Sequence, residues 1–238
     1  MFTAVVRAQF DGLVGQDTAI ALLHRAVDQQ RVAPAYLFSG PGGVGRQLAA
    51  ERLVELLFTP EPETPSPTLR RRIAQRNHPD LLWVEPTYLH QGRLIGASVA
   101  AQEGLSRKSP PQTRLEQVRQ IAQFLSRPPL EAPRAVVVIE AAETMAEGAA
   151  NGLLKTLEEP GQATIILLAP GPQSLLPTLV SRCQTIPFQR LNAADMTTVL
   201  RRVGADEVLV HPQILAMAQG SPGGAIAAYN QLQTIPAD

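Results

Sequence analysis

The chain holds a single cysteine, Cys183, among 238 residues, so no intramolecular disulfide can form and a cysteine-based zinc cluster is excluded. Aromatic residues are scarce at 4%, which leaves a core to be assembled from Leu, Val, Ile and Ala. Neither sign of charge is in excess, with 21 Lys and Arg facing 21 Asp and Glu. Sequence-independent binding to nucleic acid depends on surplus cations that neutralise phosphates. A chain without that surplus needs a local patch or a partner to meet DNA. No stretch approaches the roughly 18 apolar residues of a membrane span. Met1 to Phe10 carries Arg7 and lacks the long apolar run and small residues of a signal peptide. The expected setting is cytoplasmic, with no membrane contact.

What is present is a globular composition, 45% apolar, in a chain long enough for one large domain and a small one. Five short apolar runs rich in β-branched residues read as strands: Ala35 to Ser39, Leu81 to Glu85, Ala135 to Ile139, Thr164 to Ala169 and Gln184 to Phe188. The third and fourth are almost continuously apolar, as parallel strands covered on both faces are. Helical patterns lie between them, at Asp17 to Val27, Arg46 to Leu57, Thr113 to Leu125 and Gly148 to Glu159. Thr113 and Glu116 form a Thr-x-x-Glu capping box, and Pro160 is a helix stop. Alternating strand and helix predicts an α/β domain built on a five-stranded parallel sheet with flanking helices.

Two stretches interrupt the alternation. The proline-rich Thr59 to Pro67 predicts an extended, mobile loop, and Pro86 to Gln112 an excursion without clear periodicity. After Arg190 the character changes to short helices. Asn192 caps one that Gly204 ends, His211-Pro212 opens a second and Ser221-Pro222 a third. The expected organisation is a large domain over 1–190 and a small helical lid over 191–238.

Directly after the first strand stands Gly40-Pro41-Gly42-Gly43-Val44-Gly45-Arg46-Gln47, leading into a helix. Both end glycines of the P-loop pattern G-x-x-x-x-G-K-[ST] are in place, as is its strand–loop–helix context. In a working loop, backbone N–H groups and the helix N-terminus cradle phosphates, lysine reaches the terminal phosphates, and the hydroxyl ligates magnesium. Here Arg46 stands for the lysine and Gln47 for the hydroxyl. A planar guanidinium does not replace a compact ammonium, and glutamine is a poor magnesium ligand. The companion strand of such a site ends in Asp-Glu, for magnesium and for the attacking water. This one ends Ile139-Glu140-Ala141, with a longer carboxylate at the first position and no acid at the second. Both halves point to a P-loop fold that has lost hydrolysis in cis.

Several segments carry a resemblance: Val14 to Gln16 (VGQ), Ala35 to Arg46 (AYLFSGPGGVGR), His78 to Leu81 (HPDL), Asn151 to Pro160 (NGLLKTLEEP) and Leu175 to Gln184 (LLPTLVSRCQ). Throughout its length the chain resembles the delta-prime subunits of bacterial DNA polymerase III clamp loaders, within the AAA+ superfamily. The motor subunits of that family share these segments, and the damaged loop selects delta-prime over the motor. The resemblance implies a nucleotide-binding-like domain, a helical lid and a C-terminal collar. The chain ends near the expected end of the lid, so the collar is expected to be missing from this chain. Relatives often carry a four-cysteine zinc module after the first helix. Thr59 to Asn77 has no cysteine, so zinc is not carried over, and no ATP, magnesium or other cofactor is expected. In Gly220 to Ala225, Gly224 takes the place of a lid arginine that contacts phosphates in active members.

By the same resemblance, Ser181-Arg182-Cys183 matches the motif whose arginine enters a neighbouring subunit's ATP site. An arginine finger stabilises charge developing in phosphoryl transfer, which makes Arg182 the candidate catalytic group in trans. The implied partners are the gamma/tau and delta subunits and, through the complex, a sliding clamp and primer-template DNA. Cys183 reads as a small packing residue, since no histidine stands ready to activate it. His78 reads as packing a turn, Trp83 as core or sheet surface, and Arg70, Arg71, Arg72 and Arg76 as a solvated helix face. Two rival readings are a working ATPase in which Arg46 replaces lysine, and an AAA+ adaptor outside replication.

Overall fold

The computed structural model describes residues 10, 12–60, 64–105, 109–159 and 161–234. Helix α1 (Asp17–Asp28) precedes β1 (Ala35–Ser39), α2 (Arg46–Phe58), α3 (Pro67–Ala74) and β2 (Leu81–Val84). A hairpin, β3 (Thr87–His90) and β4 (Arg93–Gly96), and short α4 (Ala97–Gln102) come next. They lead to α5 (Leu115–Leu125), β5 (Ala135–Ile139), α6 (Glu147–Glu158), β6 (Ala163–Ala169), α7 (Pro177–Val180) and β7 (Gln184–Pro187). The last helices are α8 (Ala193–Arg202), α9 (Pro212–Ala218) and α10 (Pro222–Thr234).

The five main strands form one parallel sheet in the order β2-β5-β6-β1-β7. Alternation along each strand sends side chains to opposite faces. Tyr36, Phe38, Val136, Val138, Ile166 and Leu168 join one apolar cluster with Leu23, Leu53 and Phe58. Leu37, Val137, Ile139, Ile165 and Leu167 join the other, with Val118, Ile121, Leu153 and Leu179. Each fully buried Leu or Ile contributes about 1.5–3 kcal/mol, and helices on both faces are what allow strands this apolar. The first cluster continues through Leu191 into Met196, Leu200, Val208 and Ile214, so the C-terminal helices share a core with the sheet. Gln16 ties the seam. Its amide group donates to Gln189 O (2.7 Å) and Val44 O (3.3 Å) and accepts from Gln189 N (2.9 Å).

Three expectations need correction. Pro67 does not close an extended loop. It is the first residue of α3, where a missing N–H costs nothing, and Ser66 caps the helix by accepting from Leu69 N at 3.1 Å. The stretch Pro86 to Gln112 is not without structure. Gln91 and Gly92, both at positive φ (49° and 77°), turn the β3–β4 hairpin. Thr87 and Gln112 then exchange backbone hydrogen bonds of 3.0 and 3.1 Å that close its base. Third, Thr113 does not cap α5; it bridges to Met145. The cap position is Arg114, whose N–H donates to the Gln117 side chain at 3.0 Å. Tertiary pairing overrode the local capping signal. The expected stop at Pro160, most of Met1 to Phe10, and residues 61–63 of the TPEPETPSP stretch lie outside the described residues.

Three of the four arginines in the basic cluster are also not freely solvated, while Arg71 is exposed as expected. Arg70 pairs with buried Glu55 at 3.2 Å, and Arg72 grips Glu131 through two bonds of 2.7 and 3.1 Å. Arg76 reaches Glu51 at 2.8 Å while its guanidinium lies 3.3 Å over the Trp83 ring. His78 packs its turn as expected, stacked on Phe58 at 4.5 Å and accepting from Asp80 N at 3.2 Å. The Asp80 carboxylate accepts from Leu130, Glu131 and Ala132 N–H at 2.7–2.8 Å, which fixes the loop entering β5.

Candidate functional site

The loop Gly40–Gln47 runs from the end of β1 to the start of α2, beside the ends of β5 and β6, and lines a cavity of about 600 Å³. Gly43 and Gly45 adopt φ of 72° and 106°, conformations that favour glycine, and Gly45 is the N-cap of α2, whose first residues Arg46 and Gln47 line the cavity. Thus the backbone shape of a phosphate loop is intact.

Its surroundings are occupied by the protein itself. Ser221 Oγ donates to Gly42 O at 2.8 Å, and Gly223 N donates to Gly43 O at 3.0 Å. A Cβ on Gly43 would fall 2.6 Å from Ser221 Oγ and 2.9 Å from Gly223 Cα. The first turn of α10 therefore sits backbone to backbone on the loop. Gly224 lies in that turn, donating to Ser221 Oγ at 2.9 Å, with no side chain to extend to a ligand.

Arg46 does not project freely. Its guanidinium lies near Gly42, Nη2 standing 4.0 Å from where a Cβ there would be. Burial pulls its proton affinity below the ordinary arginine range, and the negative charge of Glu143 pushes back. Glu140 accepts a short hydrogen bond from Trp83 Nε1, so the carboxylate at the magnesium position is engaged by an indole on the edge strand. Gln47 and Ala141 line the same cavity, and Ala141 sits at φ 44°, turning the chain into the 3-10 turn Ala142–Thr144. The residues present do not fit a magnesium–triphosphate group. Arg46 and Gln47 stand at the lysine and hydroxyl positions of the pattern, and one oxygen of Glu140 is taken by Trp83.

Arg182 lies elsewhere. β7 pairs with β1 so that Gln184 stands beside Tyr36, near the start of β1, while the phosphate loop follows its end at Ser39. That stretch of strand alone spans roughly 10 Å, and Arg182 precedes Gln184 by a further two residues. Its side chain is about one-third exposed and bonds Glu158 at 2.6 Å and Thr178 O at 3.0 Å. Ser181 is exposed beside it, its hydroxyl donating to Thr178 O at 3.0 Å. Burial pushes the Cys183 thiol up to about 11, which keeps it protonated and unreactive. The structure thus brings Gly40, Gly42, Gly43, Gly45, Arg46, Gln47 and Glu140 together and leaves Ser181, Arg182 and Cys183 apart. Trp83 and Glu143 belong to the first group and were not legible as such. The only signal for Glu143 is its spacing, three residues after Glu140.

A family model described as DNA polymerase III, delta subunit, matches residues 15–192, and one described as cyanobacterial DNA polymerase III delta prime, C-terminal domain, matches 194–238. The chain belongs to the delta-prime family of DNA polymerase III subunits. The delta-prime subunit of Bacillus subtilis is 36% identical over 180 residues, covering 74% of this chain and 48% of that protein. That of Pseudomonas aeruginosa is 30% identical over 197 residues, covering 80% and 54%. The gamma/tau subunit of Mycobacterium tuberculosis is 26% identical over 237 residues, covering 97% and 38%. The chain thus spans about half the length of the delta-prime relatives it matches. A gamma subunit-related protein from Thermotoga maritima superposes with a TM-score of 0.57 at 21% identity, covering 90% of this chain and 58% of that one. The RuvB branch migration motor of the same organism superposes at 0.53 and 13% identity, covering 90% and 60%. These two likenesses speak for the AAA+ fold. Among the described residues no helix is long and apolar enough to cross a membrane, and no group of three His, Cys, Asp or Glu side chains is placed to hold a metal.

Proposed function

We propose that this delta-prime protein is a non-catalytic subunit of a clamp loader of replicative DNA polymerase III. It works beside an ATP-binding subunit of the gamma/tau kind, donates Arg182 to that neighbour's site, and helps place a sliding clamp on primed DNA. The delta subunit, the clamp and primer-template DNA are met through the complex, in the cytoplasm, without a membrane, zinc or bound nucleotide of its own. Residues 1–190 supply the nucleotide-binding-like domain and 191–238 the lid.

The observation that carries this reading is the placement of Arg182. The residue lies apart from the loop of its own chain, with its side chain about one-third exposed and held by Glu158 and the Thr178 carbonyl. A partly exposed ion pair is worth about 0–1 kcal/mol, so a phosphate on an adjoining protomer can draw the guanidinium away from Glu158 cheaply. The loop supports the same division of labour. It retains its shape, but Arg46 lies half-buried beside Gly42 and Glu140 is bonded to Trp83, which also counts against a working ATPase that uses Arg46.

The test is reconstitution with the neighbouring ATPase subunits, clamp and primed DNA. Arg182→Ala should lower the DNA-stimulated hydrolysis of the complex by roughly a thousandfold at the affected site, with assembly unchanged. Unaltered hydrolysis and clamp loading would remove the finger assignment.

A further inference from the structure

Among the described residues that line the cavity, three side chains carry charge: Arg46, Glu140 and Glu143. Glu140 is held by Trp83. The other two are not fully satisfied. Arg46 Nη1 and Glu143 Oε2 are each buried without a hydrogen-bond partner among the described residues. A buried charge is costly unless another charge or donor compensates it. The two line the same cavity without a direct bond between them, and the negative charge of Glu143 is what opposes the burial of the guanidinium. The backbone provides for this. Ala141 takes a left-handed conformation, and Thr144 closes the turn by donating through N and Oγ1 to Ala141 O, each at 2.8 Å. That turn carries Glu143 round to the cavity wall.

We propose that Glu143 is the residue that closes this phosphate loop to polyphosphate, because it gives Arg46 an internal counter-charge. An incoming anion must then be held by the guanidinium against the repulsion of a carboxylate that lines the same cavity. Replacing lysine with arginine is on this account only part of the loss, and the loop's backbone amides retain latent anion affinity that Glu143 suppresses. The inference rests on the reading of the loop as disabled and is independent of the role given to Arg182.

The experiment is calorimetric titration of the whole 238-residue chain with inorganic pyrophosphate at low ionic strength, without divalent metal. Glu143→Gln, which keeps the shape and removes the charge, should bind about tenfold or more tightly than wild type, the order of charge coupling in a partly buried site. Glu143→Ala should show the same direction, which covers the case of a poorly folded first variant. Adding Arg46→Met to either should return binding to the wild-type level, and the gain should shrink with added salt. No gain in either variant, whether all proteins bind or none does, overturns the proposal, as does a gain that survives Arg46→Met. Because the readout is binding by the isolated chain, failure here leaves the Arg182 test untouched, and failure of that test leaves this one standing.

Discussion

The phosphate loop and the Arg182 corner lie toward opposite ends of one parallel sheet and differ in how their groups are held. The loop's carbonyls at Gly42 and Gly43 are bonded to the first turn of α10, Glu140 is bonded to Trp83, and Arg46 is half-buried. Arg182 is held by one partly exposed carboxylate and one carbonyl. The difference teaches how tightly each group is held. At the loop two carbonyls and Glu140 are fastened by α10 and Trp83, while Arg46 keeps a buried nitrogen without a partner among the described residues. At the corner the guanidinium keeps about a third of its side chain in solvent, the arrangement that the proposed role in a neighbour's site requires.

The comparison breaks first at Gly43. Gly43→Ala puts a methyl group into the first turn of α10 at a positive φ. It should cost roughly 2–3 kcal/mol of stability, read as a lowered denaturant midpoint. A change under about 0.5 kcal/mol would mean that the lid does not sit on the loop. Trp83→Phe comes next. It keeps the ring beneath Arg76 but leaves Glu140 without its donor, and should cost roughly 1–3 kcal/mol. As Trp83 is the only tryptophan, loss of intrinsic fluorescence confirms the substitution. At the open corner Glu158→Gln should change stability by less than about 0.5 kcal/mol. A larger loss would make that corner as closed as the loop. The smallest effect sharpens the boundary of the exposed patch. Although Arg182 is exposed, the adjacent thiol, raised to about 11, should alkylate slowly at neutral pH in the native protein and accelerate only as pH rises toward that value. Rapid labelling at neutral pH would place Cys183 on the surface.

The sheet was legible because its five strands are short, apolar and bounded by turn residues, and parallel strands buried on both faces need that composition. The phosphate loop was legible as a spaced pattern of glycines, and it lies between β1 and α2 as that pattern predicts. The β3–β4 hairpin was not, since each strand has four residues and its turn uses Gln91-Gly92, a weaker signal than Asn-Gly. The partnership of Trp83 with Glu140 depends on register. β2 pairs with β5 so that Trp83 stands beside Val138, two residues short of the carboxylate, and nothing local in either segment states it. The same holds for Arg70 and Arg72 of α3 and for Arg76 just beyond it, whose acidic partners Glu55, Glu131 and Glu51 lie 15 to 59 residues away. Three clustered arginines look solvated until distant carboxylates are folded onto them.

The central claim is that one basic residue of this chain has left catalysis and another serves a neighbour. Its most direct test is the steady-state ATP hydrolysis of the reconstituted clamp loader carrying Arg46→Ala in one preparation and Arg182→Ala in another. The account predicts wild-type turnover for the first and a loss of roughly a thousandfold at the adjoining site for the second. Loss of turnover with Arg46→Ala, or full turnover with Arg182→Ala, would contradict it.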